Sequence, residues 1–279
     1  MARANPVAYR DRQVTEIVLT AIGLSADLSQ ALVLKGGTLM ALAFQSTRVT
    51  ADIDFTATQE PEGFQDLLEA QLDLELPRAA RQLGYLDLVC RVQGVKRHPR
   101  PTMFEEADFP ALEVRVGSAS RSNTNEMRAL ENGRAARVAK VEISFRDQVY
   151  AFQELTLNGA QVAIQAFSQT EIVAEKIRAL LQQVVRNRGR RQDVYDLALL
   201  IERRDFDDDD HHRILSTMIA KCRSRGIEPT QKSFADPEIA ERAARDWGTL
   251  RLEVDNVGDF HERFALVREF YERLPWEVA

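Results

Sequence analysis

The 279-residue chain is 44% hydrophobic and 29% charged with only 13 Gly and 9 Pro, a globular composition that excludes disordered, collagen-like and small disulfide-stapled classes. Its length is about twice the rough 150-residue prior for one domain, so two packed units or one large α/β unit both fit. The net charge of −6, from 37 Lys plus Arg against 43 Asp plus Glu, excludes a globally basic coat for nucleic acid but not a local patch. No apolar run is long enough to span a membrane. The stretch Met1 to Arg12 carries Arg3, Arg10 and Arg12 without the apolar core of a signal peptide, which predicts a cytoplasmic protein. Cys90 and Cys222 have no CxxC partner and read as small core residues in a reducing compartment.

In chain order, residues 9–23 place Val14, Ile17, Val18 and Ile22 at helical spacing before Gly23. The run Ala31 to Leu34 reads as a strand, Lys35-Gly36-Gly37-Thr38 as a glycine turn into a helix ending near Phe44, and Ala51 to Phe55 as a period-two strand. A long amphipathic helix is predicted over 62–84, strands over 86–95, 111–117, 137–146, 149–156 and 161–166, and a mobile polar loop over 117–134. From Ser168, where Ser168-Gln-Thr-Glu171 has capping-box spacing, the period is helical: helices over 169–186, 191–203, 209–224, 237–249 and 259–273. The expected fold class is α+β, with an α+β domain over 1–167 and a helical domain over 168–279.

The segment from Lys35 to Phe55 carries the chemistry. Two glycines at a helix start let backbone approach an anion, and the helix N-terminus offers free N–H groups, although a Gly-Gly turn alone is also ordinary loop geometry. Asp52 and Asp54 sit at i, i+2, so on a strand they share one face while Ile53 turns to the other. Two converging carboxylates repel unless a divalent cation lies between them, and Mg²⁺ is usually held by such a pair together with substrate phosphates. Two solvated acids on an edge strand is the competing reading.

These residues resemble the nucleotidyltransferase superfamily related to DNA polymerase β, and more closely the AbiEii/AbiGii-type toxins, the family that includes the MenT toxins. The resemblance rests on Gly36-Gly37, Arg48-x-Thr50-x-Asp52-x-Asp54-Phe55, Ala174-Glu-Lys176 and Arg191-Gln-Asp193-Val-Tyr195-Asp196-Leu197, in family order over residues 30–200. It implies a polymerase β-like domain with a mixed sheet and flanking helices, and a helical domain that completes the site. It further implies that Asp52 and Asp54 bind catalytic Mg²⁺, that Gly36, Gly37, Thr38 and Arg48 contact the triphosphate of an NTP substrate, and that Lys176 and Asp193 complete the site. Thr50 matches a hydroxyl that is phosphorylated in some relatives, which makes it a regulatory candidate. Polymerase-type sites commonly use a third acid, and Glu142 in Lys140-Val-Glu142-Ile-Ser144 is the best placed metal-ligand candidate; a solvent-facing strand residue is the alternative.

The residues of the later segments are compatible with this. Lys176 lies inside the apolar stripe of Ile172, Val173, Ile177, Leu180, Leu181 and Val184, a costly position unless the lysine is paired, touches a ligand or snorkels to water. A lysine reaching towards phosphates would tolerate Lys176→Met with the fold unharmed. Asp193 and Asp196 are at i, i+3 on the next helix, where Asp193 either reaches Lys176 or complements the helix macrodipole. Lys176, Arg178, Arg186, Arg188, Arg190 and Arg191 form a basic stretch able to attract a phosphate-rich partner, and Arg91 to Arg100 a second one. Asp207 to His212 reads as a solvated helix cap rather than a metal site.

The resulting expectation is a toxin of a toxin–antitoxin or phage-defence pair that transfers a nucleotide from an NTP to tRNA, with a separately encoded antitoxin as partner. A transferase acting on a protein or small molecule, and a non-catalytic binding protein on a degenerate transferase fold, are the alternatives.

Overall fold

The computed structural model describes residues 6–48, 50, 52–99, 104–254 and 256–278. Arg3, Ala51 and Arg100 of the sequence reading lie outside them. The chain divides into two compact units, Met1–Leu39 with Thr50–Ala166, and Met40–Val49 with Phe167–Ala279.

The first unit holds helices α1 (Pro6–Leu24) and α2 (Ala26–Ala31), strand β1 (Leu32–Lys35), the start of α3 (Gly36–Ala43), β2 (Asp52–Ala57), α4 (Phe64–Gln82), β3 (Leu88–His98), β4 (Ala111–Ser120), α5 (Thr124–Glu131), β5 (Arg137–Ser144), β6 (Phe152–Leu157) and β7 (Val162–Phe167). One mixed sheet forms, in the order β3-β4-β5-β2-β1-β7-β6. Strands β1 and β2 are antiparallel, whereas β2 and β5 are parallel with Ile53 beside Val141 and Phe55 beside Ile143. Those four side chains and Leu34, Leu112, Val114 and Val116 are buried on one face, as period-two alternation requires. Arg97, on that face of β3, donates to Gln65 of α4, and Arg137 of β5 pairs with Asp11 of α1, so α1 and α4 cover it. The opposite face carries Asp52 and Asp54 of β2, Lys140 and Glu142 of β5, and Glu113 and Arg115 of β4.

The expected mobile loop over 117–134 is corrected. Strand β4 continues to Ser120, and α5 follows, capped by Asn123, whose side chain accepts from the N–H groups of Asn125 and Glu126. The segment reads as polar because a single buried leucine, Leu130, anchors the helix, while Glu126 is held by Arg10 of α1 and the Ser120 N–H.

The second unit contains α6 (Gln169–Gln182), α7 (Arg191–Arg203), α8 (Asp208–Arg223), α9 (Pro237–Ala244), α10 (Phe260–Glu272) and short 3-10 turns. Ser168 caps α6 through the Glu171 N–H, as the sequence predicts, and the Glu171 carboxylate lies 2.8 Å from Lys221 Nζ of α8. Ile172, Val173, Ile177 and Leu180 of α6 are buried, as are Val194, Leu197 and Ala198 of α7 and Ile214 and Met218 of α8. The expected helix over 237–249 stops at Ala244, and a 3-10 helix, Trp247–Leu252, follows Asp246 in the left-handed region. Asp207 caps α8, with Asp208 to Asp210 in its first turn. No helix among the described residues is long and apolar enough to cross a membrane.

Candidate active site

The polar face of the sheet unit gathers the acids singled out in the sequence. Alternation puts Asp52 and Asp54 on one side of β2 with Ile53 buried behind them, and the parallel register sets Asp54 beside Glu142 and Asp52 beside Lys140. Neighbouring strands lie about 4.8 Å apart, so Glu142 and Asp54 share one patch of surface. On the other flank the antiparallel register sets Lys35 beside Asp54. Lys35 Nζ lies 2.7 Å from Ser144 Oγ and 3.2 Å from Asp147 Oδ2. The sequence reading passed over Lys35; its signal was a lysine at the end of an apolar strand, immediately before the glycines.

Gly36 begins α3 with φ +69°, a conformation side chains rarely adopt. A Cβ built there would stand 2.1 Å from Asp54 Oδ2. The glycine therefore gives the Asp54 carboxylate room against the helix start, a constraint more specific than a flexible turn. Thr38, buried in the first turn, donates from Oγ1 to the Asp52 carbonyl at 2.9 Å, and Thr50 Oγ1 lies 3.4 Å from that same oxygen. Gly37 is buried between Gly36 and Thr38.

Among the described residues, no group of three or more His, Cys, Asp or Glu side chains is placed to hold a metal ion unaided. The oxygen-only donor pair Asp52 and Asp54, with Glu142 in register, nevertheless fits a hard cation such as Mg²⁺, which is ordinarily bound through one or two carboxylates plus phosphates. The cradle that a Cβ at Gly36 would fill supports this fit.

The helical unit carries a second constellation. Lys176 on α6 is only 6% exposed, and its ammonium sits 3.0 Å from Asp193 Oδ1 and 2.7 Å from Asp196 Oδ2 on α7. Arg48 forks onto Asp196, Nε to Oδ1 at 3.3 Å and Nη2 to Oδ2 at 3.2 Å, and its Nη1 lies 3.5 Å from Glu253. Arg190 and Arg191 reach Asp193 and Glu253, each at 3.6 Å. Burial works to lower the Lys176 pKa, but the adjacent Asp196 and Asp193 carboxylates hold it above its ordinary value. Burial likewise works to raise Asp193, and Lys176 and then Arg190 outweigh it, leaving the carboxyl below its usual range. Arg48 is raised in the same manner, burial being outweighed by Asp196. Of the two aspartates on α7, Asp196 is the more deeply buried and the shared acceptor; the sequence spacing alone could not rank them.

Much of the basic stretch is thus occupied by acids. Arg178 is buried and bonded to Glu175 and Gln182, whereas Arg186 and Arg188 are exposed.

The AbiEii family, described as nucleotidyl transferase toxins of type IV toxin–antitoxin systems, matches residues 18–264. The chain belongs to this family. The match spans both units and all four segments on which the resemblance rested. Among solved structures, JHP933 from Helicobacter pylori aligns with a TM-score of 0.55 at 15% identity over 98% of this chain and 93% of its own. A second H. pylori structure, provisionally described as a nucleotidyltransferase, aligns at 0.54 and 15% identity over 97% and 95%. MenT4, a nucleotidyltransferase toxin from Mycobacterium tuberculosis, aligns at 0.49 and 18% identity over 95% and 85%. The first two show that the fold is shared; no curated protein matches the chain. Family and fold together make this AbiEii member a nucleotidyltransferase of the toxin–antitoxin kind.

Proposed function

We propose that this AbiEii member catalyses attack of an acceptor hydroxyl on the α-phosphate of an NTP: a P–O bond to the acceptor forms, the bond to pyrophosphate breaks, and the hydroxyl proton passes to a carboxylate. The observation that supports this most directly is the strand pair that sets Asp52, Asp54 and Glu142 on one face with Gly36 shaped around Asp54. Asp52 and Asp54 would hold Mg²⁺, with Glu142 as a third ligand, and Mg²⁺ bound there would neutralise triphosphate charge. Asp52 or Asp54 takes the acceptor proton. The N–H groups of Gly36 and Gly37 at the start of α3 bind phosphate oxygens, and Thr38 fixes the Asp52 backbone. In this reading Arg48 and Lys176, whose charges are met by Asp196 and, for Lys176, also by Asp193, hold the helical unit's own helices together.

The acceptor we favour is tRNA, the partner a separately encoded antitoxin and the compartment the cytoplasm. A phosphate on Thr50 would add about −1.5 to −2 charge near Asp52 and oppose triphosphate binding. The test is incubation of the purified protein with Mg²⁺, total RNA and each α-labelled NTP. Label in tRNA, lost in Asp52→Ala, Asp54→Ala and Thr50→Glu with unchanged circular dichroism, is expected. Label in protein or a small molecule would move the acceptor, and full activity in folded Asp52→Ala would overturn the site.

A further inference from the structure

The polar sheet face does not end at the acids. In β4–β5 register, Lys140 is beside Arg115 and Glu142 beside Glu113; in β3–β4 register, Arg115 is beside Gly94, Glu113 beside Lys96 and Gly117 beside Arg91. A row therefore runs from Asp52 on β2 through Lys140 on β5 to Arg115 on β4, with Lys96 beside it on edge strand β3 and Arg91 further along that strand, past the Gln93 side chain that packs over Gly117. Lys140 and Arg115 stand about one and two strand spacings from Asp52, roughly 5 and 10 Å.

Two features distinguish these cations. Arg115, Lys140 and Arg91 are exposed and have no hydrogen bond or ion pair among the described residues, whereas Lys96 is paired only with Glu113, at 3.5 Å. The helical unit's buried cations, by contrast, are each matched to carboxylates. Arg115 and Lys140 also face each other directly across two strands, an arrangement of like charges that destabilises a sheet unless an anion lies over it. Gly94, opposite Arg115, adds no side chain to cover the guanidinium.

We infer that this cationic row is the docking surface for the phosphodiester backbone of the RNA acceptor, leading its terminal hydroxyl towards Asp52 and Asp54. The inference rests on the transferase reading. A polyanion supplies the counter-charge that Arg115, Lys140 and Arg91 lack, and the acids at the end of the row would repel its phosphates, leaving a hydroxyl as the group that approaches them. Because backbone contacts carry the affinity, recognition depends on salt more than on sequence.

The test uses the full chain and a fluorescein-labelled RNA hairpin with a single-stranded 3′ end. Anisotropy titrations at several salt concentrations compare wild type, Arg115→Gln/Lys140→Gln and Arg81→Gln, an exposed cation on α4. Metal-dependent NTP binding and thermal melting are measured on the same samples. The double variant is expected to bind RNA on the order of tenfold more weakly, with its salt slope reduced by about 0.7 per lost cation. Arg81→Gln should bind RNA and melt as wild type, all three should bind NTP alike, and the double variant, relieved of the repulsion between Arg115 and Lys140, should melt at or slightly above wild type. Equal RNA affinity in wild type and the double variant, or equal loss in Arg81→Gln, overturns the docking surface even where NTP binding stands. If wild type binds no NTP while the double variant still loses RNA, the transferase reading fails and the surface survives.

Discussion

Gly36 is the residue at which backbone conformation and chemistry meet. Any side chain there must adopt φ +69° and displace the Asp54 carboxylate, which lies 2.1 Å from where a Cβ would stand. For Gly36→Ala the backbone term costs about 1 kcal/mol, a modest loss for a chain of this size. A shift of about 1 Å in a reacting group can cost on the order of 10²-fold in rate, so transfer should fall that far while the melting temperature drops by only a few degrees. Near-normal transfer in folded Gly36→Ala would detach Asp54 from the chemistry. This requirement was partly legible: the sequence announces a glycine turn before a helix, but which glycine lies against a carboxylate eighteen residues away depends on the β1–β2 register, which no local pattern encodes.

At the scale of elements, the pairing of α6 with α7 changes what Lys176→Met should do to the fold. A lysine aimed at phosphates would let Lys176→Met leave the fold unharmed; the structure instead places its ammonium between Asp193 and Asp196. Removing one partner of a buried pair strands the others, at about 3–5 kcal/mol, and the lower end applies because Arg48 and Arg190 remain near the two acids. Lys176→Met should therefore melt several degrees lower, and adding Asp193→Asn should recover part of the loss. Wild-type melting of the single variant would restore the phosphate-facing role.

The same cluster sets a pH window. Asp193 lies below its ordinary value of 3.8 in the folded state, so its stabilisation is complete above that value and lost as pH falls through the depressed one. Lys176 lies above its ordinary 10.5, so its contribution is complete below that value and lost as pH rises through the elevated one. The melting difference between wild type and Asp193→Asn should be flat from about pH 5 to 9 and shrink below about pH 4; a difference independent of acid pH would contradict the pairing. The helices themselves were readable, α7 to its Arg191–Arg203 bounds, because period 3.6 and caps are local signals. Their charge partners were not, because Arg48 meets Asp196 across 148 residues of sequence.

At the scale of the whole molecule, each unit contains one buried thiol, Cys90 on β3 and Cys222 on α8. Burial pushes both up to about 12, so at neutral pH each should react with a thiol reagent only when its surroundings open. Labelling of Cys222 should quicken in Lys176→Met while Cys90 keeps its wild-type rate, read by mass spectrometry of the labelled peptides. Equal acceleration of both would mean that the pairing around Lys176 governs opening of the sheet unit as well.

The excursion of residues 40–49 into the helical unit has a consequence for synthesis. Arg48 leaves the ribosome long before Asp196 and Glu253, the carboxylates that receive its guanidinium. At about 5–20 residues per second, residues 167–279 take roughly 6–20 s to emerge, while the strands bearing Asp52, Asp54 and Glu142 are already complete. Throughout that interval Arg48, four residues ahead of the acid pair, is a solvated cation on a nascent chain, and the toxin's own C-terminal half is what ends its exposure.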